Sequence, residues 1–306
     1  MRLVGALIAL AVVASGLLLT GGATTAHSAS SVQERVSPQK DYPRMPRSCV
    51  DPKDLIPQEP GICKLSAYRH VRPTVVLWGD SHAWQMIPAL KGATKGRNVN
   101  LVAFLMGGCP PMDPQLNTRR KRQNASSCDK ANDVALRYVL KRKKQKLKVK
   151  VVIGGAWNRY LSHLRAGTPP DESYAAKMAH ELETDTPRLF RRLGKRRIST
   201  DVIGQSLEVP PGASCRKGRT PFVCALPRGK ALQSEGANKR WVKNAMKPLV
   251  GKRRYLTTNG AVCTVKACRG KLKGIYTFYD DLHLSATRSR TLARYFKLTV
   301  GDVARR

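Results

Sequence analysis

From Thr74 onward the sequence alternates short apolar runs with longer segments of helical spacing, and no other feature restricts the fold as tightly. Val75-Val76-Leu77-Trp78, Val99 to Leu105, Val149 to Ile153 and Ile198 to Ile203 are too short for stable helices. The unbroken, β-branched character of the first suits a strand buried on both faces, and the others read as strands in sequence with it. Asp129 to Lys144 carries Ala131, Val134, Ala135, Tyr138 and Val139 roughly at helical spacing and ends in a cationic turn, which a helix C-terminus favours. Asp171 to Arg192, opened by Pro169-Pro170 and an acidic pair, supplies a second helix, and Leu232 to Met246 a third. A last strand is expected at Ile275 to Tyr279, followed by a helix from Ala286. This order predicts one α/β domain over residues 73–306, in which a mainly parallel sheet lies between two layers of helices.

The segment before it is different. Residues 31–72 hold Pro38, Pro43, Pro46, Pro52, Pro57 and Pro60 and one cysteine pair, which predicts a stapled lead-in with little regular structure. Residues 1–30 begin with Met1-Arg2, run uncharged from Leu3 to Leu19, and continue in small residues. This is the pattern of a signal peptide cleaved near Ala26-His27-Ser28, or of an uncleaved N-terminal membrane anchor. Either places the protein in a secreted or extracytoplasmic setting.

Eight cysteines agree with that setting, because an even count in an oxidising compartment reads as disulfides. Nearest-neighbour pairing would join Cys49 with Cys63, Cys109 with Cys128, Cys215 with Cys224, and Cys263 with Cys268, one of many possible connectivities. No Cys-x-x-Cys occurs and the six histidines are scattered, so no metal site is expected. Nothing in the sequence calls for a cofactor.

A net charge of +36 sets up a strong positive field and implies an anionic partner. Arg119 to Arg122, Lys141 to Lys144 and Arg191 to Arg197 carry much of it. For an exported protein the matching partners are an envelope polysaccharide or other anionic polymer, with peripheral contact to anionic lipid as a further option. Nucleic acid is disfavoured, since aromatics are only 6% and none interleaves with the basic runs in a recognition motif.

In open parallel sheets chemistry gathers at the carboxyl ends of the strands. The first run there gives Gly79-Asp80-Ser81-His82, the second Gly107-Gly108-Cys109, the third Gly154-Gly155-Ala156-Trp157-Asn158, and the last Asp280-Asp281-Leu282-His283. A serine hydroxyl needs an imidazole to take its proton, and the imidazole needs a carboxylate to fix its tautomer. Ser81, His283 and Asp280 supply the three. Between Glu235 and Asp280 there is no acidic residue at all, so two aspartates beside a histidine stand out from the local composition. The oxyanion of an acyl-transfer intermediate needs preorganised donors, for which the Ser81 N–H, the Gly108 N–H and the Asn158 amide are candidates. His82 reads as a supporting or substrate-facing residue, and Trp84 and Trp157 as packing.

These four blocks resemble the SGNH/GDSL hydrolase family, which implies a flavodoxin-like α/β/α sandwich and a serine esterase or acyltransferase. More narrowly, Val75 to Ala83 with Pro88-Ala89-Leu90, Gly108-Cys109-Pro110-Pro111 and Tyr279 to Ser285 resemble the SGNH domain attached to integral-membrane O-acyltransferases of bacterial envelopes. In such proteins the membrane part delivers an acyl group and the SGNH domain places it on an extracytoplasmic glycan. The resemblance therefore implies acyl transfer to a cell-envelope glycan through an acyl-Ser81 intermediate, with a separate membrane acyltransferase as partner, or an esterase acting alone. One departure is that the third block, Gly155-Ala156-Trp157-Asn158, lacks the usual Gly-x-Asn-Asp form. Other readings of the residues are a non-catalytic module that binds polyanions, and a lipase or thioesterase for a small ester.

Overall fold

The computed structural model describes residues 37–209 and 225–304. The expected signal or anchor segment and the Cys215–Cys224 pair lie outside the described residues.

In chain order the first elements are β1 (Cys63–Lys64), β2 (Thr74–Gly79), α1 (Ser81–Trp84), α2 (Ile87–Thr94), β3 (Asn100–Leu105), α3 (Arg119–Gln123) and α4 (Ser127–Lys144). There follow β4 (Val149–Gly154), α5 (Trp157–Ala166), α6 (Tyr174–Lys195), β5 (Ser199–Ile203), β6 (Ala225–Pro227), α7 (Arg228–Ala231) and α8 (Glu235–Ala245). The described chain closes with β7 (Arg253–Leu256), β8 (Ala267–Arg269), β9 (Lys271–Leu272), β10 (Ile275–Tyr276), α9 (Ala286–Thr291) and α10 (Lys297–Ala304).

The main sheet runs β1-β3-β2-β4-β5-β7, with only β1 antiparallel to its neighbour. Without β1, the five parallel strands have the spatial order 2-1-3-4-5 of flavodoxin-like sheets, with the reversal of winding at β2. All six residues of β2 are buried, as are those of β3 and β4. Alternate side chains face opposite layers. Val75, Leu77, Leu101 and Ala103 join a core with Trp84, Ile87, Leu292 and Phe296, whereas Val76, Trp78, Val102 and Phe104 join one with Leu136, Val139, Leu182 and Phe190. The three-layer sandwich follows directly from these two cores.

Two details differ from the sequence reading. Only Ile275–Tyr276 of the expected last strand forms, and it pairs antiparallel with β9 outside the main sheet. The fifth parallel strand is instead β7, Arg253-Arg254-Tyr255-Leu256, a sheet edge whose charges hide its pattern. Arg254 is engaged there by Asp302, through Nη1 at 2.6 Å and Nη2 at 3.0 Å.

The lead-in is stitched to the domain rather than hanging from it. Its residues Cys63–Lys64 pair with β3, and the Asp41 carbonyl accepts the Ala286 N–H at 2.7 Å. The pairings Cys49–Cys63, Cys109–Cys128 and Cys263–Cys268 are present as disulfides. Each cross-link lowers the entropy of the unfolded chain, least for the short Cys263–Cys268 loop.

Candidate active site

The site is built at the carboxyl end of β2, where the sheet reverses its winding. Gly79 makes the approach possible: its φ is +149°, and a Cβ there would meet the Gly154 carbonyl oxygen at 1.8 Å. The strand can therefore turn straight into α1 while lying against β4. Asp80 caps this turn and joins two of the four blocks. Its buried carboxylate accepts from His82 N–H at 2.8 Å, Ala156 N–H at 2.9 Å and the Tyr160 hydroxyl at 3.0 Å. Burial pushes the Asp80 carboxyl up from its ordinary range, and the three donors oppose that shift. Ser81 follows as the first residue of α1.

Asp280 and His283 sit in a tight loop between β10 and α9, closed by the bridge between Phe278 and Leu284. Asp280 Oδ1 accepts from the backbone N–H groups of Leu282 at 2.8 Å and His283 at 2.6 Å, and Oδ2 lies 2.8 Å from His283 Nδ1. These bonds hold the Asp280 carboxyl below its ordinary range, although its burial acts the other way. Such a pairing makes Nδ1 the protonated nitrogen and leaves Nε2 as the base. His283 Nε2 is enclosed and has no hydrogen-bond partner among the described residues.

The loop is docked on α1. Leu284 N–H donates to Gln85 Oε1 at 2.6 Å, and the His283 ring lies 5.3 Å from that of His82 and 5.9 Å from that of Trp84. Tyr279 stacks on the His283 ring, with 5.7 Å between centroids. Asp280 and His283 thus come from the far end of the sequence to pack on the helix that Ser81 begins, with no hydrogen bond between His283 Nε2 and Ser81. Trp84 and Trp157 are both fully buried packing residues, and Trp84 also walls the His283 ring.

Of the remaining candidates, Gly108 lies in the loop after β3 with φ +67°, flanked by Gly107 N–H on Pro57 O and Cys109 N–H on Met106 O. Asn158 is held by Gln205, Glu208 and Arg165. Its backbone N–H donates to Gln205 Oε1 at 2.6 Å, its Nδ2 donates to Glu208 Oε2 at 3.3 Å, and its Oδ1 accepts from Arg165 Nη2 at 3.3 Å. Gln205 and Glu208 are functional candidates that the sequence reading passed over. They leave the carboxyl end of β5, the kind of position at which the other blocks were sought.

Glu208 Oε1 also lies 3.4 Å from His82 Nε2. His82 is 4% exposed, and burial followed by the charge of His283 pushes its pKa down to about 3, so the ring is neutral at neutral pH. An unfolded chain with an ordinary histidine binds this proton near pH 6.5. His82 therefore stabilises the fold fully above about pH 6.5, and that contribution declines as the pH falls towards 3. Melting curves from pH 7 to pH 4 should show wild type losing more stability than His82→Gln. An equal loss in the two proteins would remove the assignment.

A serine at a strand end, a carboxylate-oriented imidazole and amides nearby define the chain as an SGNH-type serine esterase or O-acyltransferase. The model of the family described as "SGNH domain (fused to AT3 domains)" matches residues 48–298, and the chain belongs to that family. No curated protein matches the sequence. A solved structure, the periplasmic domain of a lipopolysaccharide acetyltransferase from Salmonella ser. Paratyphi A, is similar at 14% identity and a TM-score of 0.49. That similarity covers 76% of this chain and 85% of the other. Among the described residues no helix is long and apolar enough to cross a membrane.

Proposed function

We propose that the protein transfers an acyl group to a cell-envelope glycan outside the cytoplasm, through an ester on Ser81. His283 takes the Ser81 proton and later returns it to the leaving oxygen, Asp280 orients the imidazole, and the Ser81 and Gly108 N–H groups receive the oxyanion. The Asn158 amide is the third donor, reached by its second N–H. The observation that carries this reading is the enclosed, unpartnered His283 Nε2, held by Asp280 against the helix that begins with Ser81.

Envelope polysaccharide or another anionic polymer is the proposed substrate, and a separate membrane acyltransferase the proposed source of acyl groups. The charge of +36 supports an anionic polymer. Two of the basic runs meet where Lys143 Nζ donates to Arg197 O at 3.4 Å, in a groove lined by Lys141, Lys144, Lys195 and Arg196. It lies at the ends where β4 and β5 begin, opposite the reaction centre, so a polymer held there does not obstruct Ser81.

A radiolabelled acetyl donor tests the chemistry. Wild type should retain label on Ser81 after rapid acid quench, and Ser81→Ala should retain none. An unlabelled wild-type serine would sink the mechanism. Faster discharge of the label on adding envelope glycan identifies a transferase, and an unchanged rate identifies an esterase.

A further inference from the structure

A cavity of about 260 Å³ with mixed polar and apolar walls opens between α5, the segment after β5 and the region of α7. We infer that it is the acceptor site, holding a neutral sugar unit whose hydroxyls bond Glu208 and its supporting amides while an adjacent hydroxyl reaches the acyl group on Ser81. The inference rests on the acyl-transfer reading above and adds where, and by what chemistry, the second substrate binds.

The lining offers many hydrogen-bonding groups. Asn158, Arg165, Gln205, Glu208, Lys230 and Asn259 contribute to the walls beside Leu207, Ala231 and Leu232, a mixture that suits the hydroxyls and the C–H faces of a sugar. Arg165 and Lys230 are offset by Glu208 and Glu235, which favours neither an anion nor a cation. Hydroxyl groups, which both donate and accept, suit such walls. Anionic groups elsewhere on the same polymer fall to the basic groove, not to this cavity.

Glu208 is held ready for a ligand. Gln205 Nε2 donates to its Oε1 at 2.9 Å and Asn158 Nδ2 to its Oε2 at 3.3 Å. A carboxylate offers about four lone-pair positions, and with His82 Nε2 also beside Oε1 one more hydroxyl bond can be accepted. The supporting amides are themselves fixed: Asn158 by Arg165, Asn238 and the backbone bond to Gln205, and Asn259 by donating to Gln205 O at 3.1 Å. Glu208 also joins the cavity to the reaction centre, because its Oε1 touches His82 and the His82 ring lies beside that of His283.

In the transfer step the acceptor O–H gives its proton to His283 Nε2 as its oxygen bonds the acyl carbon. The bond from that carbon to Ser81 Oγ breaks, and the proton passes to Ser81 Oγ. Water can take the same path. Binding in the cavity therefore decides how the acyl-enzyme divides between sugar and water.

That partition is the readout, since it is set after acylation and is unaffected by how much enzyme is folded. The full-length protein is acylated with p-nitrophenyl acetate in the presence of methyl pyranosides of glucose, galactose and N-acetylglucosamine, and acetylated glycoside is measured against free acetate. Glu208→Gln, which keeps the shape and removes the charge, should lower the ratio of transfer to hydrolysis by about tenfold, the worth of one charge-assisted hydrogen bond. Ser162→Trp, which fills the cavity from α5, should lower it as well. A wild type that transfers, with the ratio unchanged in both variants, overturns the acceptor site alone. A wild type that discharges only to water overturns the transferase reading and the acceptor site with it.

Discussion

Ser81→Ala and His283→Ala should each reduce turnover of an activated acetyl ester by about 10⁵–10⁶-fold, and the double variant should be scarcely worse than either alone. The reason is that the two side chains act as one unit: a hydroxyl without its base and a base without its hydroxyl are equally idle. Asp280→Asn should cost less, about 10⁴-fold. The Asp280 carboxylate fixes Nδ1 as the donor at 2.8 Å, and an amide in its place can present an N–H and so stabilise the wrong tautomer. Steady-state kinetics on the four proteins check all of this. Multiplicative losses in the double variant would show that Ser81 and His283 do not work on the same bond.

Lys150→Met should destabilise the sheet strongly while leaving the reaction centre untouched. Lys150 and Asp201 are fully buried on neighbouring strands, with Nζ 2.6 Å from Asp201 Oδ1. Lys150 Nζ also bonds Ser199 Oγ at 2.9 Å and the Lys252 carbonyl at 3.1 Å, and lies 3.2 Å from Asp302 Oδ2. Removing one member of a buried pair leaves the other as an uncompensated charge. Asp201 retains Arg254 at 3.2 Å and the Thr299 hydroxyl at 2.8 Å, which places the loss at the lower end, about 3 kcal/mol. For a domain of this size that lowers Tm by roughly 6–12 °C. A calorimetric shift under roughly 2 °C would mean that the charged cluster contributes little to stability.

The same cluster explains where sequence reading succeeds and where it stops. β2, β3 and β4 declare themselves because they are buried on both faces, so apolar residues run without interruption. β7 does not, because Arg254 belongs to an ion-pair network contributed by β4, β5 and α10 and Arg253 bonds the Lys247 carbonyl, which pattern along one segment cannot reveal. The reaction centre divides likewise. The Asp280–His283 spacing is local and readable, whereas the placement of their loop depends on β9, Gln85 and α1, and not on a strand of the main sheet. Asp80 is visible only as a motif letter until the bonds to Ala156 and Tyr160 show it joining β2 to α5. Glu208 carried no signal beyond its position after a strand, since its partners Asn158 and His82 lie 50 and 126 residues away in the sequence.

One consequence follows from the bond between Leu284 and Gln85, which spans 199 residues. The proposed nucleophile is present early in the chain, and all five parallel strands are complete by Leu256. The proposed base arrives only with His283. A growing chain therefore holds every parallel strand before it holds the proposed base. The same segment brings Leu292 and Phe296 to one face of the sheet and Asp302 to Lys150 and Arg254, so a protease that removed it would take away the proposed base and part of the sheet's packing together.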